Sequence, residues 1–210
     1  MGATTRFARL SGVMATIALL IGATVAAWVW GGDGSDPSNL RSDQVQGDPR
    51  RPNVPAPAPP LVQPKGTVVL DTTAKFSAIE EAKVIGEGEA VVLRPQVGTV
   101  TMLVTTQNTT TTGTWLFTVL PGHKLSDLLS SINQLYTDAG FKPLVGAQAG
   151  TTVMVSRPAD GEPGNVVYRA HYISTHGVVR VEAYGPGATQ VDEAFATLFT
   201  AQLTNTPPVG

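Results

Sequence analysis

Arg169, His171, Arg180 and Glu182 are the side chains of this sequence whose types and spacing could act together. Asn165 to Thr175 alternates between apolar and polar residues, and so does the run that follows His176-Gly177, so the two read as a β-hairpin. One hairpin face carries Val166, Tyr168, Ala170, Tyr172, Val179, Val181 and Ala183; the other carries Arg169, His171, Arg180, Glu182 and Tyr184. With His176-Gly177 as a two-residue turn, Thr175 pairs with Val178, Ile173 with Arg180 and His171 with Glu182. The first face reads as core and the second as a solvated polar surface, where an opposite-charge pair on neighbouring strands contributes roughly 0.2–1 kcal/mol. Two arginines on one such surface also make a candidate anion- or partner-binding patch.

Other chemistry finds little support. His123, His171 and His176 are scattered, and the five-residue step between the last two matches no zinc spacing, so neither a metal site nor a cofactor is expected. Asp71-Thr72-Thr73 and Gly86-Glu87-Gly88-Glu89 read as turns. There is no G-x-S-x-G elbow, Walker loop, H-E-x-x-H or dinucleotide fingerprint. A hydrolase built from dispersed Ser, His and Asp stays open, because triads are defined by geometry rather than by order. The chain has no cysteine, which excludes disulfides, thiolate metal sites and a cysteine nucleophile.

The elements that must position the polar face begin after a long N-terminal preamble. Leu10 to Trp30 runs without a charged residue, and as a helix it spans roughly 30 Å, the hydrocarbon thickness of a bilayer. Arg6 and Arg9 precede it and Asp33 and Asp36 follow it, so residues 1–9 are expected in the cytoplasm and everything after Trp30 outside. Trp28 and Trp30 suit the outer interface of an uncleaved anchor, while Val25-Ala26-Ala27 offers the alternative of a signal peptide cleaved near Ala27 and a secreted product. Residues 31–65 are a linker, Gly- and Asp-rich first and then dense in proline, where Pro55 to Pro60 favours extended polyproline II.

A single domain is predicted over residues 66–204, with 205–210 as a polar tail. From Gly66 onward eight Lys and Arg face twelve Asp and Glu, a net charge of −4 that leaves no basic stripe for nucleic acid. Strands are expected at Thr67 to Leu70, Glu89 to Leu93, Thr99 to Thr105, Thr114 to Leu120 and Thr151 to Arg157, besides the hairpin above. The threonine-rich Gln107 to Gly113 is expected to close one hairpin as a soluble tip. Ser77 and Glu80 match a capping box for a short helix to about Val84. Leu125, Leu128, Leu129, Ile132, Leu135 and Tyr136 form one apolar stripe ending at Gly140, and Val191, Ala194, Phe195, Leu198 and Phe199 form another, for which Thr189 and Asp192 offer a helix cap. The fold class is therefore α+β, an antiparallel sheet with packed helices, in which an α/β/α sandwich and a curved sheet gripping the last helix are both allowed.

The stretch from Thr151 to Leu203, with VVYRAHYISTHGVVRVEAYG followed by a final amphipathic helix, resembles exported actinobacterial envelope proteins with a PsbP/Mog1-like domain. That resemblance implies an α/β/α sandwich used for binding or assembly, and it carries over no functional residue. The expected function is a single-pass, extracytoplasmic binding or assembly module of the cell envelope, whose partner is an envelope protein, lipid or glycan. The alternatives are a small exported hydrolase or glycan-modifying enzyme, and a lipid carrier.

Overall fold

Alternation becomes a strand where the backbone finds hydrogen-bond partners on a neighbouring strand. In the computed structural model, which describes residues 59–159 and 162–209, seven strands join in one antiparallel sheet. In chain order the elements are β1 (Thr67–Lys75), α1 (Phe76–Glu81), α2 (Glu87–Leu93), β2 (Val97–Gln107), β3 (Thr110–Val119), α3 (Leu125–Asp138), β4 (Lys142–Pro143), β5 (Thr151–Ser156), β6 (Val166–Ser174), β7 (Gly177–Gly185) and α4 (Ala188–Asn205). The strands lie in the order β1-β2-β3-β7-β6-β5-β4, so two meanders meet where β3 pairs with β7. The α+β class follows directly from the sequence patterns. The anchor Leu10 to Trp30, the flanking residues 1–9 and the linker up to residue 58 lie outside the described residues. No helix among the described residues is long and apolar enough to cross a membrane.

The pleat sends alternate side chains to two separate cores. On one face Val100, Met102, Trp115, Phe117 and Val178 meet Phe76 and Ile79 of α1, Ala90 and Leu93 of α2, and Leu128, Ile132 and Tyr136 of α3. On the other, Tyr168, Ala170, Tyr172, Val179, Val181 and Ala183 meet Val191, Phe195 and Leu198 of α4. Helices thus cover both sides of the sheet. The α3 stripe buries Leu128 and Ile132 completely, and Gly140 follows the helix at φ +86.

Several local expectations change. Glu89 to Leu93 is helical, within α2, because Ala90 and Leu93 reach the core three residues apart while Val91 stays 56% exposed. Glu87 and Glu89 also stand in the first turn, where the helix dipole favours acids. Helix α1 starts at Phe76, ahead of the expected Ser77 cap, because Phe76 is pulled into the core; Glu80 pairs with Arg94 instead of closing a capping box. Helix α4 begins after Gly187 without a side-chain cap, and Asp192 turns to Arg157 at 3.0 Å. The threonine tip is mostly strand: β-branched residues suit the pleat, the turn shrinks to Asn108 and Thr109, and the Thr105 and Thr112 hydroxyls meet at 3.1 Å across the ladder. Asp71-Thr72-Thr73 belongs to edge strand β1 rather than to a turn.

The β6–β7 turn also shifts. Ser174 pairs with Gly177, leaving Thr175 and His176 as the turn, so His171 faces Arg180 and Arg169 faces Glu182. The predicted register is off by two residues, and a shift of two preserves which side chains share a face. Ser174 decides the closure: its hydroxyl donates to the Gly177 carbonyl at 3.1 Å and accepts from the His176 amide at 3.1 Å. Gly177 sits at φ +149, and a Cβ there would stand 2.4 Å from the Phe117 carbonyl oxygen. Gly177→Ala should therefore lower stability by about 1–3 kcal/mol, measured by urea titration, with the transition staying cooperative.

Residues 59–65, expected as the end of the linker, are packed on the domain. Leu61 is only 3% exposed and joins the α4 core, and Gly66, at φ +125, redirects the chain into β1.

Candidate functional site

The polar strand face predicted as solvated lies in the interior, under α2 and α3. Arg180 is 1% exposed, His171 0% and Glu182 4%. The sheet brings all four predicted residues together, with Arg169 and His171 on β6 and Arg180 and Glu182 on β7. Three further residues complete the cluster: Trp115 on β3, Glu89 on α2 and Tyr136 on α3. No spacing in the sequence points to these three, since Glu89 lies 91 positions from its partner Arg180 and in a stretch that reads as a strand. An acid beside two core-facing residues of a short helix is the one available signal.

Burying four charges is tolerable only if each is answered. Arg180 reaches Glu89 through Nη2 and donates from Nε to His171 Nε2 at 3.2 Å. Its guanidinium also lies over Phe117, 4.8 Å from the ring centre, and near Trp115 at 5.6 Å and Tyr136 at 5.7 Å. Arg169 Nε lies 3.3 Å from Glu182 Oε2, Arg169 Nη1 lies 3.9 Å from Glu89 Oε2, and the Arg169 guanidinium covers Tyr136 at 4.6 Å. Trp115 Nε1 donates to Glu182 Oε1 at 2.9 Å. Two guanidinium groups and two carboxylates thus balance. Arg169 Nε and Glu182 Oε2 attract as charges without the alignment of a hydrogen bond, and the Tyr136 hydroxyl meets no acceptor in good geometry.

The titration behaviour follows from that packing. Burial raises the Glu89 carboxyl, and Arg180 and Arg169 more than reverse this, holding it below the usual carboxylate range. Burial pushes the Tyr136 phenol up strongly. His171 is driven well below its ordinary value, first by burial and then by repulsion from Arg180 and Arg169. It is neutral at pH 7, and because Nε2 accepts from Arg180, its proton resides on Nδ1, which has no partner. The cluster therefore holds α2 and α3 against the sheet through neutral histidine and paired charge. His123 and His176 are exposed and do not join it. Among the described residues no three His, Asp or Glu side chains converge as metal ligands.

A different feature opens to solvent. A groove of about 440 Å³ runs beside α4, walled by residues 62–65 on one side, by the β2–β3 turn at its end, and by Gln190, Glu193, Thr197 and Leu198 of α4 on the other. Its lining mixes amides and hydroxyls, including Gln63, Gln107, Asn108 and Thr109, with the charged Lys65 and Glu193 and with apolar Val62, Ala194 and Ala201. Such a lining can accept and donate hydrogen bonds to a polar ligand while covering its apolar parts. The sequence reading missed this groove, because one wall comes from the stretch assigned to the linker. Comparison of this chain with protein-family models, with curated proteins and with solved structures returns no match.

Proposed function

We propose that this chain is a membrane-anchored, extracytoplasmic binding or assembly module of a cell envelope, carried outward on a proline-rich spacer, and that its ligand surface is the groove beside α4. The observation that carries this reading is the division of polar groups: Arg180, His171, Glu182 and Glu89 are engaged with one another inside the domain, while the open groove displays amides, hydroxyls, Lys65 and Glu193. Helices on both sheet faces fit the α/β/α layering that the resemblance to PsbP/Mog1-like envelope domains implies. A hydrolase needs a base and a nucleophile facing substrate, and His171 and Glu182 are enclosed. A lipid carrier needs an apolar cavity beneath α4, where Val191, Phe195 and Leu198 instead pack on Tyr168, Ala170 and Val181.

The test combines fractionation with site-specific crosslinking. Full-length protein should remain in the membrane fraction with an intact N-terminus, and external protease should cut the linker. A photo-crosslinking residue replacing Thr197, in the groove, should give a discrete adduct in intact cells, and one replacing Val145, which is 97% exposed and away from the groove, should give none. Equal adducts from both positions, or release of the domain after cleavage near Ala27, would overturn the reading.

A further inference from the structure

Residues 59–65 are held as a receptor holds a peptide. Among the described residues no backbone-to-backbone hydrogen bond ties them to the sheet; side chains of the domain read their main chain instead. Asn205 Nδ2 donates to the Pro59 carbonyl at 2.9 Å, and Gln202 Nε2 and Thr206 Oγ1 both donate to the Pro60 carbonyl at 2.8 Å. The Val62 amide donates to Gln202 Oε1 at 2.7 Å, and Thr114 and Thr105 hydroxyls donate to the Val62 and Lys65 carbonyls at 2.9 and 2.8 Å. Leu61 fills the core between these contacts. Prolines on both sides of it keep the segment extended before docking, which lowers the entropy lost on binding.

The receiving side chains make the argument specific. Gln202 and Thr114 are 0% exposed, Thr105 1% and Thr206 5%, and each spends hydrogen bonds on this segment. With the segment docked these groups are both buried and paired; its departure would open them and the Leu61 site to water, so the cleft is matched in apolar and polar pattern to an extended peptide of this sequence. One flank of the occupant lies open along the groove, through Val62 to Lys65. The connection to β1 is the single residue Gly66, and a short hinge of this kind favours exchange of a segment between copies.

We infer that the cleft formed by α4, Thr105 and Thr114 is a peptide receptor that also takes residues 59–65 of a second copy, so that two neighbouring chains exchange these segments and pair. No ladder hydrogen bond breaks when the segment leaves, and the incoming segment has the sequence the cleft already fits. The inference rests on the binding-or-assembly reading and deepens it by naming the partner as this chain itself.

Two full-length variants separate donor from receptor. Leu61→Asp cannot dock its own segment but keeps the cleft; Gln202→Leu keeps the segment but loses the central contacts. A fluorescein-labelled peptide, Pro-Pro-Leu-Val-Gln-Pro-Lys, followed by anisotropy, should bind Leu61→Asp saturably. It should bind wild type about tenfold or more weakly, because the tethered segment competes at high effective concentration, and Leu61→Asp/Gln202→Leu equally weakly. If Leu61→Asp fails to melt cooperatively, the milder Leu61→Ala takes its place in the same assay. Absence of peptide binding by a cooperatively folded variant overturns the receptor. Mixing Leu61→Asp with Gln202→Leu should produce a one-to-one complex by light scattering that neither forms alone, and its absence overturns the exchange. Either failure alongside a positional adduct at Thr197 leaves the binding function standing with another partner.

Discussion

Replacing Arg180 by methionine should destabilise the domain by about 3–5 kcal/mol, the usual cost of removing one member of a buried ion pair. For a domain of this size that corresponds to a fall of roughly 10–15 °C in melting temperature. The loss goes beyond one contact. Arg180 answers Glu89, donates to His171, and lies against Phe117, Trp115 and Tyr136, so its removal leaves a carboxylate inside the protein with only Arg169, at 3.9 Å, to balance it. The double variant Arg180→Met/Glu89→Leu restores the charge balance, because Arg169 and Glu182 still face each other at 3.3 Å. It should recover to within about 1–2 kcal/mol of wild type, since well-packed apolar replacements of buried ion pairs are often nearly neutral. Chemical denaturation of the two singles and the double closes a mutant cycle. Simple additivity would show that Arg180 and Glu89 do not act as a pair, contrary to the geometry.

The second large effect is acid destabilisation arising from His171. Its folded-state proton affinity is depressed by burial and by Arg180 and Arg169, while in the unfolded chain it titrates near 6.5. The groups around it are Arg169 and Arg180 on the sheet, Tyr136 from α3, against whose ring it stacks at 5.3 Å, and the nearby carboxylates Glu89 and Glu182. Above pH 6.5 neither state binds the proton and stability is flat with respect to this group. Below 6.5 the unfolded state binds a proton that the native state refuses, so stability falls by up to about 1.4 kcal/mol per pH unit. Glu89 acts lower: its depressed folded value means its contribution is present above the ordinary carboxylate range and is lost as pH falls through that value. Unfolding free energy measured from pH 7 to 4.5 should therefore fall below pH 6.5 in wild type with a slope of at most about 1.4 kcal/mol per pH unit from this group, and the slope should flatten in His171→Gln. An unchanged slope in that variant would place the acid sensitivity elsewhere.

Much of the fold was legible because strand periodicity is a local property. Val166, Tyr168, Ala170 and Tyr172 share a core face, Arg169 and His171 share the other, and even a register error of two residues leaves that division intact. The α3 stripe and Gly140 likewise announce a helix and its end from neighbouring residues alone. Glu89 to Leu93 shows the opposite case, since a stretch that reads as a strand around Val91 and Val92 is helix, with Ala90 and Leu93 reaching the core.

By itself the sequence determined that this chain carries an antiparallel α+β domain, that one face of the β6–β7 hairpin gathers Arg169, His171, Arg180 and Glu182, and that no cysteine chemistry supports it. Tertiary structure alone decided what those four residues mean. Alternation distinguishes two faces of a strand but says nothing of what lies over each, and only the arrival of α2 and α3 turned a polar face into a charge-balanced interior with Glu89, Tyr136 and Trp115. The same reason hid the cleft for residues 59–65: its receptors, Thr105, Thr114 and Gln202, lie 40, 52 and 142 positions along the chain from the carbonyls they hold, and prolines read as spacer until side chains meet those carbonyls. Contacts over such distances along the chain leave no periodicity behind them, so they appear only when the chain is folded.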